Sequence, residues 1–247
     1  MERIKNKIVL VNEAATRSSE QIIHHLLLKG AEVIVSSKNL IELYRLRAGF
    51  KLENALECRN LHLLPFDLRD TEDADAAKKI IQEQWNGLDA IVTNYRAARS
   101  RKSLFNSDEG EWEKYINNET KGQFIVAKTF MPLLAFRPGS MFIAVSKNVA
   151  SHPFAGRGLG DVSMAIQLML ARNLSHEIDG NPSIHCLTLF DDDAGSKDED
   201  HINLSNVAEA VTTLIENSDW VKGHPEFSHN WRQHMTPPDD GYCMGGI

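Results

Sequence analysis

Cysteine is scarce in this sequence: Cys58, Cys186 and Cys243 are odd in number, far apart and without paired spacing. That pattern excludes a disulfide framework and gives no zinc-site spacing. Cys186, inside an apolar run, reads as a small buried hydrophobe. Aromatic residues make up only 7% of the chain, too few to suggest stacking platforms for bases. Positive charge is also in deficit, with 27 Lys and Arg against 34 Asp and Glu. A net charge of -7 argues against nucleic acid, whose phosphates need a concentrated cationic surface. No apolar run reaches the roughly 18 residues of a membrane span, so no membrane partner is expected. The first residues lack the apolar core of a signal peptide, and a cytoplasmic location is the expectation. Internal repeats and low-complexity linkers are absent as well.

What is present is an ordinary globular composition, 42% hydrophobic and 25% charged over 247 residues. One hydrophobic core supports that length, so residues 1–247 are expected to form a single domain. Apolar runs alternate with helical patterns, the signature of successive βαβ units. The runs at 7–11, 31–36, 62–66, 88–93, 140–146 and 183–190 predict six strands. Helical spacing predicts helices over 19–29, 40–47, 73–85, 111–134, 162–176 and 207–217. An acidic stretch opens the segment 191–206, read as a mobile loop, and 224–247 reads as a C-terminal tail. The expected fold is α/β: a Rossmann-like, doubly wound parallel sheet with helices on both faces. Its ligands would bind where the carboxyl ends of the strands converge.

Several scattered segments carry a resemblance. Gly30-Ala31-Glu32-Val33 and Phe66-Asp67-Leu68 suit the second and third strands of a known pattern, and Leu88 to Asn94 suits its fourth. Trp112, Gly122-Gln123-Phe124, Phe142 to Ser146 and Arg172 to Ser175 follow in the same order and spacing. Together they make the chain similar to the short-chain dehydrogenase/reductase family over almost its whole length. The resemblance implies a homo-oligomer, a dimer or tetramer, assembled through the helices at 111–134 and 162–176.

The departures from that family concentrate in the site. Its phosphate loop, Thr-Gly-x-x-x-Gly-x-Gly, falls on Asn12 to Ser19, where no glycine stands and Glu13 takes the first glycine's place. Those glycines let backbone N–H groups approach a pyrophosphate at a helix N-terminus. The Tyr-x-x-x-Lys motif falls on Gly160 to Met164, and the catalytic serine on Lys147, beside Ser146. General acid catalysis by the family's tyrosine is therefore not available.

These losses point to a cofactor-independent, non-redox enzyme of isomerase, cyclase or lyase type acting on an apolar small molecule. A catalytically inactive subunit and an atypical NADP-dependent oxidoreductase are the alternatives. Candidate catalytic residues are Lys147, Asp161, Glu119, Ser146 and His152. Against those roles, Asp161 reads rather as a helix N-cap and Lys147 as readily as a solvated lysine. Tyr95, Arg96, Arg157 and Asp191 are candidate substrate contacts. Tyr95 and Arg96 replace a small pair that makes room for a cofactor. No cofactor is expected, NADP being disfavoured; were a dinucleotide to bind, Ser37, Lys38, Asp67 and Asn94 would contact it. No metal is expected, because consecutive aspartates at 191–193 splay apart.

Overall fold

The computed structural model describes residues 4–14, 16–50, 59–94, 102–147, 157–178, 182–189, 204–218 and 226–227; the side chains of 119, 146–147, 183–189, 204–206 and 226–227 lie outside that description. Seven strands form one parallel sheet in the order β3-β2-β1-β4-β5-β6-β7. They are β1 (Ile8–Asn12), β2 (Glu32–Ser37), β3 (Leu61–Pro65), β4 (Ala90–Asn94), β5 (Met141–Lys147), β6 (Ser183–Leu189) and β7 (Glu226–Phe227). The helices are α1 (Arg17–Leu28), α2 (Leu40–Gly49), α3 (Thr71–Trp85), α4 (Glu109–Trp112), α5 (Glu119–Leu134), α6 (Gly158–Glu177) and α7 (Leu204–Glu216).

Each central strand reads as a continuous apolar run because both sides of the sheet are covered. Alternate residues go to opposite sides. Val9, Val11, Val33, Val35 and Val92 join the core beneath α1, α2 and α7. Ile8, Leu10, Ile34, Ile91, Phe142 and Ala144 join the core beneath α3, α5 and α6. At the amino edge, Asp89 accepts from the Ile8 N–H at 2.8 Å and lies 3.6 Å from Lys7 and 3.7 Å from Arg137, which pins the start of β4.

Three expectations need correction. The helix anticipated over 111–134 is interrupted by a π-helical stretch at Glu113–Asn118. There the Thr120 hydroxyl donates back to the Ile116 carbonyl, while Tyr115 and Ile116 pack on Leu159 of α6. A plain 3.6-residue period does not distinguish such a stretch from regular helix. The segment 191–206 is not all loop, since α7 begins at Leu204; residues 191–203 lie outside the described residues. The tail contributes β7, a two-residue strand paired with β6, too short to leave a period in the sequence. Among the described residues no helix is long and apolar enough to cross a membrane.

Candidate functional site

Strand order reverses at β1, which lies between β2 and β4, so the carboxyl ends of β1 and β4 border the crevice where such sheets hold ligands. The turn leaving β1 shows how the glycine-free loop is built. Glu13 takes φ 52, the left-handed conformation that suits glycine, and the Ala14 N–H donates to the Ser36 carbonyl. Thr16 then caps α1 by accepting from the Ser19 N–H at 3.1 Å. The Ser19 hydroxyl donates to the Glu13 carbonyl at 2.9 Å, tying the turn to the first turn of the helix.

Asn94, the last residue of β4, closes this arrangement from the neighbouring strand. Its Nδ2 lies 2.8, 2.6 and 3.0 Å from the hydroxyls of Thr16, Ser18 and Ser19. An amide has two N–H donors, so three hydroxyls share two protons in a compact, satisfied network. The structure thus brings Asn94 to the crevice as the hub of the loop after β1. Thr16, Ser18 and Ser19 were not singled out from sequence, although a hydroxyl-rich stretch before an apolar helix is a recognisable N-terminal signal.

The opposite side of the sheet differs. Asn12 and Thr93 are register partners, and Ser36 follows the Val11–Val35 pair on β2, so the three stand side by side. All are 0% exposed. Neither side-chain atom of Asn12, nor the hydroxyls of Ser36 and Thr93, has a hydrogen-bond partner among the described residues. Gln123 of α5, one turn before Val126 and Ala127 of the same core, adds an unpartnered Oε1.

At the far end of the crevice, Ser37 donates to Glu42 at 2.9 Å and accepts from the Asn39 N–H at 3.2 Å, so its hydroxyl organises the start of α2. Lys38 is exposed. Asp67 receives a bidentate grip from Arg69, Nε to Oδ1 at 2.9 Å and Nη2 to Oδ2 at 2.8 Å. Those hydrogen bonds hold the Asp67 carboxyl below its ordinary range, against an opposing effect of burial, with the charge of Lys38 adding a smaller push in the same direction. The hydrogen bond to Asp67 in turn raises the Arg69 guanidinium, and Glu13 adds to this at longer range. Arg69 was not anticipated.

Ser146 and Lys147 end β5, in register with Thr188 and Leu189. Glu119 opens α5 directly after the π-helical stretch. At the start of α6, Gly158 has φ 42, and a Cβ there would meet the Lys102 carbonyl at 2.6 Å, so glycine permits the close approach. Arg157 Nε lies 3.1 Å from Asp161 Oδ1, and the Asp161 side chain is 6% exposed. Asp161 is therefore the partner of a guanidinium within the first turn. Gly160 and Met164, at the family's tyrosine and lysine positions, are buried in α6. Tyr95, Arg96, His152 and Asp191 lie outside the described residues. Among the described residues no cluster of His, Cys, Asp or Glu could hold a metal ion.

A dinucleotide fits these residues at three points. The turn after β1 keeps its left-handed residue without glycine. Beneath the crevice, Asn12, Ser36 and Thr93 are buried polar groups without hydrogen-bond partners among the described residues. An exposed Lys38 follows β2, beside the Ser37 hydroxyl that the Glu42 carboxylate holds. Glu13 opposes the fit by charge, within electrostatic reach of Arg69.

Comparison with known proteins identifies the family. The family described as short chain dehydrogenase matches residues 7–181. A "Dehydrogenase/reductase SDR family member 4" of Bos taurus is 27% identical over 186 residues, covering 74% of this chain and 65% of the bovine protein. In fold, an NADH-dependent reductase solved with NAD has a TM-score of 0.70 at 18% identity, covering 87% of this chain and 91% of its own. A short chain dehydrogenase from Escherichia coli CFT073 solved with NADPH has a TM-score of 0.68 at 18% identity, covering 77% and 80%. These relatives overturn the expectation of a cofactor-free isomerase, cyclase or lyase: they are dehydrogenases and reductases, and the two structures hold nicotinamide cofactors. The physical reason is that the missing glycines do not remove the turn, because Glu13 adopts its conformation and Ser19 and Asn94 brace it. The chain belongs to the short-chain dehydrogenase family.

Proposed function

We propose that this chain is an atypical NADP-dependent oxidoreductase acting on a small carbonyl or alcohol substrate. The observation that carries this reading is the glycine-free turn after β1, which keeps a left-handed residue at position 13 and a capped helix N-terminus behind it. Thr16 and Ser18 would face the pyrophosphate with hydroxyl groups in place of glycine amides. Lys38 would meet a 2′-phosphate, which favours NADP over NAD. Leu68, beside the Asp67–Arg69 pair, would border the adenine.

When bound, the nicotinamide supplies or accepts the hydride at the substrate carbon. The chain must then provide the proton for the substrate oxygen, and the usual tyrosine position holds Gly160. We assign that proton to Lys147 at the carboxyl end of β5, with Ser146 orienting the oxygen. Arg157, which pairs with Asp161 in the first turn of α6, would be the contact for an anionic group of the substrate. Glu119 and His152 are further candidates for this proton.

The test is NADPH oxidation against a panel of ketones and aldehydes, with Lys147→Met as the variant. Turnover should fall by about 10²-fold or more, the weight of one general acid, while NADPH binding is kept. Undiminished turnover in Lys147→Met would remove Lys147 from the reaction.

The assembly proposed is a homodimer through α5 and α6. Between them lies a cavity of about 510 Å³ lined by Phe124, Met131, Leu170 and Leu174, and Phe124, Ile166 and Met169 are 51%, 39% and 51% exposed. An apolar surface of that kind favours self-association. Light scattering that returned a monomer mass would contradict it.

A further inference from the structure

The sheet ends, at the side away from β7, in β3, which pairs only with β2 among the described strands. Helix α2 packs toward one face of the sheet and α3 toward the other. Between them, along the β3 edge, lies a cavity of about 520 Å³. That size falls within the roughly 300–1,000 Å³ of small-molecule sites.

Its walls are mixed, with Tyr44 of α2, Leu63 of β3, and Ile80 and Trp85 of α3 beside the polar Arg47, Arg59, His62 and Gln84. Tyr44 is 57% and Ile80 37% exposed, so large apolar side chains remain in contact with water here. The Trp85 ring stands edge-on to His62, with centroids 5.0 Å apart, and His62 is tied in turn to Glu32 at 2.5 Å. One wall is therefore fixed, and those two polar groups satisfy each other.

Two cations remain. Arg47, one turn after Tyr44, and Arg59, just before β3, both line the cavity, and neither has a carboxylate partner among the described residues. Arg47 also sits in the last turn of α2, where the helix dipole welcomes a cation, but that accounts for one arginine only. Two guanidinium groups without a carboxylate partner among the described residues, beside the apolar side chains of a mixed pocket, match a particular chemistry. We propose that the β3-edge cavity binds an amphipathic organic anion, its carboxylate or phosphate head held by Arg47 and Arg59 and its apolar body against Tyr44, Ile80 and Trp85. Guanidinium forks bind either head in bidentate fashion. The site lies at the sheet's edge, away from the crevice at β1 and β4, and does not depend on the nucleotide reading.

The test is calorimetry on the full chain with decanoate, decyl phosphate and decanol, each below its aggregation limit. The same titrations follow on Arg47→Ser/Arg59→Ser and on Ile80→Asp, with thermal melts to confirm folding. At least one anion should bind with a stoichiometry near one and decanol about tenfold more weakly, with a loss of about tenfold in each variant. Anion binding at wild-type strength in both variants would place the ligand elsewhere. Decanol binding as tightly as the anions, or no anion binding at about 1 mM, would equally overturn the proposal.

Discussion

The two sides of the sheet's carboxyl edge handle buried polar groups in opposite ways. Toward α1, Asn94, Thr16, Ser18 and Ser19 hydrogen-bond to one another, and the network fastens the turn at Glu13. Toward α5, Asn12, Ser36 and Thr93 are equally buried but have no partners among the described residues. Leaving a buried polar group unmatched costs about 1–3 kcal/mol. The first side repairs a loop that has lost its glycines; the second keeps polar capacity that no described residue uses.

That contrast can be broken at either side. The largest effect belongs to Asn94→Ala, which removes the amide that the three hydroxyls share and unties the loop; a loss of about 2–3 kcal/mol is expected in urea unfolding. A change within about 0.5 kcal/mol would mean that the network contributes little. Asn12→Leu should behave differently. It exchanges an unpartnered amide for an apolar group of similar shape, so the free protein should hold its stability or gain about 1 kcal/mol. Stabilisation by NADPH should fall in the same variant. A clear loss of stability in the free protein would show that Asn12 is already satisfied.

Glu13→Gly sharpens the picture of the repaired turn. It keeps the left-handed conformation while removing the roughly 1–2 kcal/mol it costs a non-glycine residue, and it takes a negative charge away from the turn. A modest rise in melting temperature and NADPH binding tightened about tenfold are expected. Weaker NADPH binding in this variant would mean that the carboxylate belongs to the site.

The smallest effect concerns Asp67. Arg69 holds its carboxyl below the ordinary value, so the folded state takes up a proton less readily than the unfolded chain. The stability this provides is present above the unfolded value of about 4 and is lost as pH falls through the folded value. The Asp67 side chain is 35% exposed, and solvent screening keeps the contribution below about 1 kcal/mol. Wild type should therefore be slightly more stable than Arg69→Met at pH 7, and the gap should close in acid. A gap that widened in acid would reverse the assigned direction.

Much of the fold was legible because a parallel sheet buried on both faces leaves continuous apolar runs, as at Ile8–Val11 and Val33–Val35. Glu226–Phe227 left no such trace, and the π-helical turn at 113–118 hides within a helical period. The site was less legible for a different reason. Asn12, Ser36 and Thr93 stand at or one residue before the ends of three separate strands, and only the strand order places them side by side. From the sequence, the missing glycines and the charge of Glu13 disfavoured a dinucleotide at the turn after β1. Backbone geometry shows that one strained residue, braced by Ser19, preserves it.

The most direct test is the binding of NADPH and NADH, followed by calorimetry and thermal shift on wild type and Lys38→Ala. NADPH should bind more tightly than NADH, and Lys38→Ala should remove about tenfold of NADPH affinity while leaving NADH unchanged. Failure of both cofactors to shift the melting temperature at about millimolar concentration would contradict nucleotide binding at this crevice.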